Sequence, residues 1–291
     1  MQENNRNTIF IEDAEIVVHQ AFEAEQFVLR VNAPKCAASA KPGQFAYIQC
    51  DPQRLMRRPL SIMRVSVDEG WVEFLYKVVG EGTALLAKRQ VGESANIMGP
   101  IGRPFELDGS KPKALLLGGG VGIPPMVCLS ELIKEQHKNI EPVVFMGSEV
   151  PFPFEREKSA LSVTGIADTI SDGLPLLEQW NIPSRLASLQ GYSGVYEGYI
   201  TDLARDWLNA LSEEEKEQVI IYSCGPTPML KAVAALAKEF NLPCQVSLEE
   251  YMACAVGGCA GCVVKVKTDE GEVMKRVCVD GPVFDANTVF A

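Results

Sequence analysis

Apolar positions along this chain fall into two rhythms. Up to about Leu107 they form short runs broken by turn residues: EIVVHQ, QFVLRVNA, QFAYIQC, LSIMRVSV, WVEFLYKVV and SANIMG. Strands spaced this closely predict an antiparallel barrel or sandwich. TALLAKR reads as one short helix among them. After the polar, proline-containing DGSKPK the rhythm changes. KALLLGGG, PVVFMG, VIIYSCG and CQVSLEE are continuous apolar runs of buried-strand type. Between them PPMVCLSELIKEQ, TDLARDWLNAL and PTPMLKAVAALAKEF carry helical spacing. Pro124 and Pro125 suit the first turn of the first helix, and Thr201 suits the N-cap of the second. Strands alternating with helices predict a parallel sheet covered on its faces.

From about Glu249 the chain reads differently again. A cysteine-rich loop precedes VVKVKTDEGEVMKRV, which predicts a hairpin turning at TDEG. Three parts are therefore expected: residues 1–108 as a β-barrel, 109–248 as an α/β unit, and 249–291 as a small terminal segment. Residues 151–196 carry no pattern that assigns a fold.

Composition narrows the class. The chain has 291 residues, 47% hydrophobic and 22% charged, the balance of an ordinary globular protein. No apolar run approaches the ~20 residues of a membrane helix. MQENNRNTIF lacks the basic and apolar parts of a signal peptide, so a cytoplasmic location is expected. The net charge of −11 argues against a nucleic-acid track. Arg54, Arg57 and Arg58 form the one basic cluster. It suits a small phosphate compound or, equally, a solvated patch.

Nine cysteines, an odd number in a chain of cytosolic character, argue against a disulfide framework. Cys36, Cys50, Cys128 and Cys244 lie among apolar residues and read as small buried hydrophobes. Cys254, Cys259 and Cys262 are different. They stand in C-x4-C-x2-C spacing with Gly257, Gly258 and Gly261 between them, and Cys278 follows. This is the plant-type ferredoxin pattern for a [2Fe–2S] cluster. Three thiolates must converge from one tight loop, and glycine allows the backbone to wrap closely around sulfur. Zinc ribbons present two compact C-x2-C pairs; here there is one, so iron–sulfur is favoured over zinc.

Two further turns have ligand character. In LLLGGGVGIPPM, Gly118, Gly119, Gly120 and Gly122 join a strand to a helix start, where backbone amides and the helix dipole favour phosphate. In SCGPTPML a second strand ends in a Gly-Pro turn before a helix. Two such turns at strand ends frame a crevice, although each alone also fits a plain tight turn. RRPLSI and, further on, LYKVVGEGT complete the set. Arg58 has the planar fork for a pyrophosphate, Ser61 a hydroxyl for a ring nitrogen, and Gly80, Gly82 and Thr83 open a short helix.

Taken together, RPLS followed by GEGT resembles the FAD-binding domain of the ferredoxin–NADP reductase superfamily. GGGVGIPPM and CGPTPM are similar to its pyridine-nucleotide domain. MACAVGGCAGC with CVDGPVF resembles the C-terminal iron–sulfur segment of the dihydroorotate dehydrogenase B electron-transfer subunit family. The likeness spans nearly the whole chain in order; only the cysteine segment narrows it to that family. It implies that Arg58, Pro59, Leu60 and Ser61 lie along FAD, with Arg58 on the phosphates and Ser61 near the flavin N5 edge. Tyr76, Lys77 and Val78 would line the ribityl chain and ring, and Gly80, Gly82 and Thr83 would hold the pyrophosphate. Gly118, Gly120 and Gly122 would face the nicotinamide nucleotide, with Cys224, Gly225 and Pro226 across the crevice; Ser61 and Cys224 are the catalytic candidates. Cys254, Cys259, Cys262 and Cys278 would bind the cluster.

The implied activity is a relay: NADH gives a hydride to FAD, and the cluster passes electrons singly to a partner. In the resembled family that partner is an FMN-containing dihydroorotate dehydrogenase, in a heterotetramer, with physiological flow from dihydroorotate to NAD. Two alternatives remain at this level. One is a subunit of a sulfide dehydrogenase or ferredoxin–NADP oxidoreductase complex. The other is a zinc-stabilised binding protein without activity. The family commonly has Gly where this chain has Ala255, and residues 151–190 are longer and less regular than its pattern. Glu149 after PVVFMG suggests NAD rather than NADP, though Arg156 lies nearby.

Overall fold

The computed structural model describes residues 8–290. Most of MQENNRNTIF, and the outermost residues of the first and third expected parts, lie outside them. The N-terminal strands are β1 (Phe10–Phe22), β2 (Gln26–Asn32), β3 (Phe45–Ile48), β4 (Arg58–Ser66), β5 (Trp71–Lys77) and β6 (Ser94–Ile101). They close into a barrel in the order β1-β2-β5-β4-β3-β6. Inward-facing Ile16, Leu29, Val31, Ile48, Ile62, Phe74 and Ile97 are fully buried. Closure leaves this small sheet without an open edge. Two short helices interrupt it, α1 (Pro34–Ser39) and α2 (Glu81–Leu86). The second begins at GEGT and ends before the AKR of TALLAKR.

The second unit holds β7 (Lys113–Gly119), α3 (Ile123–Gln136), β8 (Glu141–Gly147), the short pair β9 (Glu157–Lys158) and β10 (Asp172–Gly173), α4 (Pro175–Gln179), β11 (Ser184–Ser188), β12 (Tyr196–Glu197), α5 (Ile200–Ala210), α6 (Glu213–Lys216), β13 (Val219–Cys224), α7 (Thr227–Glu239) and β14 (Cys244–Ser247). The third holds β15 (Val263–Thr268), β16 (Gly271–Arg276), α8 (Val277–Asp280), β17 (Val283–Asp285) and α9 (Ala286–Val289). One seven-stranded sheet runs β12-β11-β8-β7-β13-β14-β17. Its ladders are parallel except β14–β17, which is antiparallel. The cysteine-bearing part is thus no free appendage. Its last strand caps the sheet edge, and β15–β16 forms the expected hairpin.

Two local expectations change. Thr201 does not cap α5; Tyr199 stands at the N-cap without a side-chain bond, and Thr201 is buried inside the first turn. The helix is placed by packing of Leu203, Ala204, Trp207 and Leu208 rather than by a capping hydroxyl. Residues 151–196, unassigned from sequence, contain β11, a parallel neighbour of β8. No described helix is long and apolar enough to cross a membrane.

Helix α3 links the units. It packs across β4, its Cys128 joins the barrel core, and its Glu131 accepts from Arg64 of β4 at 2.6 Å. The strand carrying RPLS therefore lies beside the helix that the GGGVG turn opens.

Candidate functional site

The arginine cluster divides. Arg54 pairs with Glu81 on the surface. Arg57 is spent on the carbonyls of Tyr47 and Asn96 and on the Asn96 side chain. Arg58 lies against the backbone of α2: a Cβ added at Gly82 would sit 2.8 Å from its Nε. Gly82 is thus a cradle that a side chain would fill. The first intrahelical bond of α2 is Ala84 N–H to the Gly80 carbonyl, so the amides of Glu81, Gly82 and Thr83 precede any intrahelical acceptor. A guanidinium over free amides suits a pyrophosphate. Thr83 has a different place from the one expected. Its hydroxyl accepts from the Val79 and Gly80 amides at 3.0 and 3.3 Å and donates to the Gly80 carbonyl. It therefore shapes the loop.

Pro59, Leu60 and Ser61 pair with Tyr47, Ala46 and Phe45 of β3. Ser61 is half-buried, while Lys77, which ends β5, and Val78 after it are half-exposed. The Tyr76 ring does not line a cofactor surface. It is 2% exposed, stacks on Phe27 at 5.3 Å and bonds His19 Nε2 at 2.8 Å. The His19 Nδ1 faces the Arg89 carbonyl, so it carries the proton and Nε2 accepts from the phenol.

The two glycine turns meet. A Cβ at Gly122 would overlap the Cys224 carbonyl, and one at Gly119 would overlap Met229 Sδ. Gly118 packs under Ile123, Gly120 takes a positive φ of 55°, and a Cβ at Gly225 would come 2.8 Å from the same Met229 sulfur. Pro226 stands exposed at the rim. The strand ends of β7 and β13 thus approach as closely as backbone allows. Cys224 is buried, and burial pushes its thiol well above the ordinary range. It is a neutral thiol beside Ser247. Glu249, just past β14, went unnoticed in the sequence; its signal was an acid directly after a buried strand. Much of its surface is open, yet desolvation raises its pKa and its charge is felt at Cys224.

At the outer end, Gln190 Nε2 donates to the Glu149 carbonyl at 3.0 Å, joining the loops after β8 and β11. Arg156, further along the first of these loops, is engaged by its neighbours. It pairs with Asp172 at 2.7 Å, donates to the Ser193 carbonyl at 3.0 Å and lies over the Tyr192 ring.

The four cysteines form two pairs. Cys262 and Cys278 Sγ atoms are 3.3 Å apart, both buried. Cys254 and Cys259 pair at the loop's outer face, with the Cys259 amide 3.4 Å from Cys254 Sγ. The Gly261 amide likewise points at Cys259 Sγ at 3.4 Å. Two thiolates on one tetrahedral metal stand about 3.8 Å apart, so each pair fits one iron of a two-iron cluster. Among the described residues no three such ligands surround a single-ion point. Burial opposes ionisation of Cys254, but the amides of Cys259, Val256 and Gly258 bring it down to about 7. Burial and neighbouring Cys262 push Cys278 up to about 12. Ala255 keeps the left-handed conformation that glycine favours, at φ 56°, with its methyl fully buried. Substituting Gly by Ala has not changed the loop's path to a common β or α conformation. Phe45 and Tyr47 of the barrel, Ala255, Cys262 and Cys278 share one core.

Residues 249–290 match the family described as the iron–sulfur cluster binding domain of dihydroorotate dehydrogenase B, and residues 11–105 match the oxidoreductase FAD-binding domain. The dihydroorotate dehydrogenase B (NAD(+)) electron transfer subunit of Shouchella clausii is 32% identical over 254 residues, 86% of each chain. That of Geobacillus thermodenitrificans is 34% identical over 282 residues, covering 94% of this chain and 96% of the relative. Among solved structures, one of an NADH-dependent reduced ferredoxin–NADP oxidoreductase has a TM-score of 0.77 at 26% identity, covering 96% of this chain and 90% of that one. Barrel, nucleotide sheet and paired thiols, matched in sequence over nearly the full length, make this chain a member of the dihydroorotate dehydrogenase B electron-transfer subunit family.

Proposed function

We propose that the chain relays electrons between NAD(H) and a catalytic dehydrogenase subunit, an FMN-containing dihydroorotate dehydrogenase, in the cytoplasm and within a hetero-oligomer, a heterotetramer of two subunits of each kind. The observation that carries this reading is the packing of the buried Cys262–Cys278 pair against the barrel strand that pairs with RPLS. When bound, FAD supplies hydride exchange with nicotinamide and the [2Fe–2S] cluster supplies one-electron transfer.

The chain's own residues hold and orient these groups. Arg58 and the amides opening α2 neutralise and bind the pyrophosphate; Gly80 and Gly82 keep the approach clear, and Thr83 fixes the loop. Pro59, Leu60 and Ser61 run along the cofactor with Lys77 and Val78 opposite. Tyr76 supports that surface from behind, through strand β5. Gly118, Gly120 and Gly122 admit the nicotinamide nucleotide, with Cys224, Gly225 and Pro226 across the crevice. Ser61 presents a hydroxyl to the reacting rings, while Cys224, a buried neutral thiol, supports the crevice from within. Cys254, Cys259, Cys262 and Cys278 hold the cluster. The parts correspond to residues 1–108, 109–248 and 249–291, with β17 returning to the sheet of the second. The pairing of Arg156 with Asp172 engages the guanidinium that stands nearest in sequence to Glu149, which supports NAD over NADP.

The test is an absorption spectrum of anaerobically purified protein before and after NADH, with iron and acid-labile sulfide assayed. Flavin and cluster bands both bleaching is the expected result. Dihydroorotate turnover by the isolated chain, or zinc without iron and flavin, overturns it. The whole-length likeness to the ferredoxin–NADP oxidoreductase structure favours a second reading that changes only the partner. Copurification with a large flavoprotein other than dihydroorotate dehydrogenase would select it.

A further inference from the structure

One side chain joins the two cofactor regions. Tyr47 lies on β3, where it is 3% exposed, and it pairs in the ladder with Pro59 of RPLS. Its hydroxyl donates to the carbonyl of Met252 at 2.7 Å, across 205 residues of sequence. Met252 stands two residues before the first cluster cysteine. The Tyr47 ring shares its core with Ala255, Cys262 and Cys278. On its other flank the Tyr47 carbonyl accepts from Arg57, beside Arg58. The segment Glu250–Ala253 has no helix or strand of its own, and Tyr251 and Ala253 are exposed. Among the described residues no other side chain outside the segment is bonded to the Met252 carbonyl. A loop without its own ladder is positioned by such tertiary ties.

We propose that Tyr47 is a positioning residue that fixes the cluster loop against the flavin-bearing ladder. Its ring fills the joint between barrel and cysteine segment, and its hydroxyl sets the height of the chain just before Cys254. The inference rests on the proposed location of FAD along Arg58–Ser61 and of the cluster on the four cysteines. The rate of electron transfer between two held groups falls with their separation, so one hydrogen bond that sets the loop's height has leverage on it.

The test is Tyr47→Phe in the FAD- and iron-loaded protein, which keeps the ring and removes the hydroxyl. Two readouts are taken: amide hydrogen exchange of residues 250–262, and stopped-flow reduction by NADH followed separately at flavin and cluster wavelengths. The expected result is exchange of the loop at least about tenfold faster, the equivalent of ~1.4 kcal/mol of lost local stability, with the barrel strands unchanged. Flavin reduction keeps its parent rate while cluster reduction slows. Loop exchange and cluster reduction both matching the parent overturn the inference. Loss of exchange protection throughout the barrel also overturns it, because Tyr47 is then a general core residue. If the parent itself shows no cluster reduction after flavin reduction, the proposed function fails, and this inference with it.

Discussion

At the scale of single residues, close approach decides more than charge. Gly122 has an ordinary negative φ, so its requirement is space: an added methyl would meet the Cys224 carbonyl. Gly122→Ala is expected to part the two turns, costing about 1–3 kcal/mol as other overpacking does. The KM for NADH should rise on the order of tenfold, since ~1.4 kcal/mol is a factor of ten, while FAD content holds. Steady-state kinetics with an artificial acceptor checks this; an unchanged KM would show that the turns do not frame the nucleotide site. Glu249 makes a pH prediction. Desolvation raises its folded pKa above the ordinary 4.5. Its contribution to stability is therefore intact below that value and is lost as pH rises through the folded pKa. Glu249→Gln removes that loss, so the variant should melt above the parent at pH 8, and the gap should close near pH 4.5. Equal melting temperatures at pH 8 would contradict the desolvation. Glu249 was legible only as an acid after a buried strand, because its meaning depends on Cys224, which reaches it only through the fold. Tyr76 was legible as a position along the flavin surface but not in its direction, since alternation along β5 is hidden where Val72 through Tyr76 are all buried.

Among the elements, the barrel strands, the sheet strands with glycine turns and the β15–β16 hairpin were readable, because each joins an apolar rhythm to turn chemistry. SRLAS of β11 was not. It is short, and its second position carries Arg185, whose buried guanidinium reaches the Ser184 and Leu161 carbonyls. The cysteine loop was the most legible element, since its ligand spacing is sequence-local; the division into pairs was not, because Cys278 returns from beyond the hairpin. Cys262→Ser and Cys259→Ser should each abolish iron and labile sulfide, despite one site being buried and the other exposed. Both variants should retain FAD and NADH oxidation with a direct flavin acceptor, because Arg58, Gly82 and the glycine turns lie on other elements. Iron, sulfide and flavin assays on the purified variants test this, and loss of flavin together with iron would show that the loop also builds the FAD site.

For the whole molecule, the decisive feature is the antiparallel pairing of Ser247 with Val283, followed by the Leu248 amide donating to the Pro282 carbonyl. The chain leaves the sheet at one point and re-enters beside it. In topological terms the iron–sulfur module is a very long hairpin connection, an insertion whose two ends already touch. Loop length costs little once ends are apposed, because closure entropy grows only with its logarithm. A module so placed can be removed without rewiring the sheet. Joining Leu248 to Pro282 through a two-residue Asn-Gly turn should give a chain that retains all seven sheet strands and flavin-dependent NADH oxidation. It should contain no iron and melt lower, because Phe45 and Tyr47 lose the packing of Ala255, Cys262 and Cys278. Circular dichroism, flavin content and diaphorase activity would read this, and an unfolded product would mean the module is part of the sheet's foundation. The same geometry makes the electron outlet separable from the nucleotide machinery: one could be exchanged for another terminal carrier while the reductase beneath it stays whole.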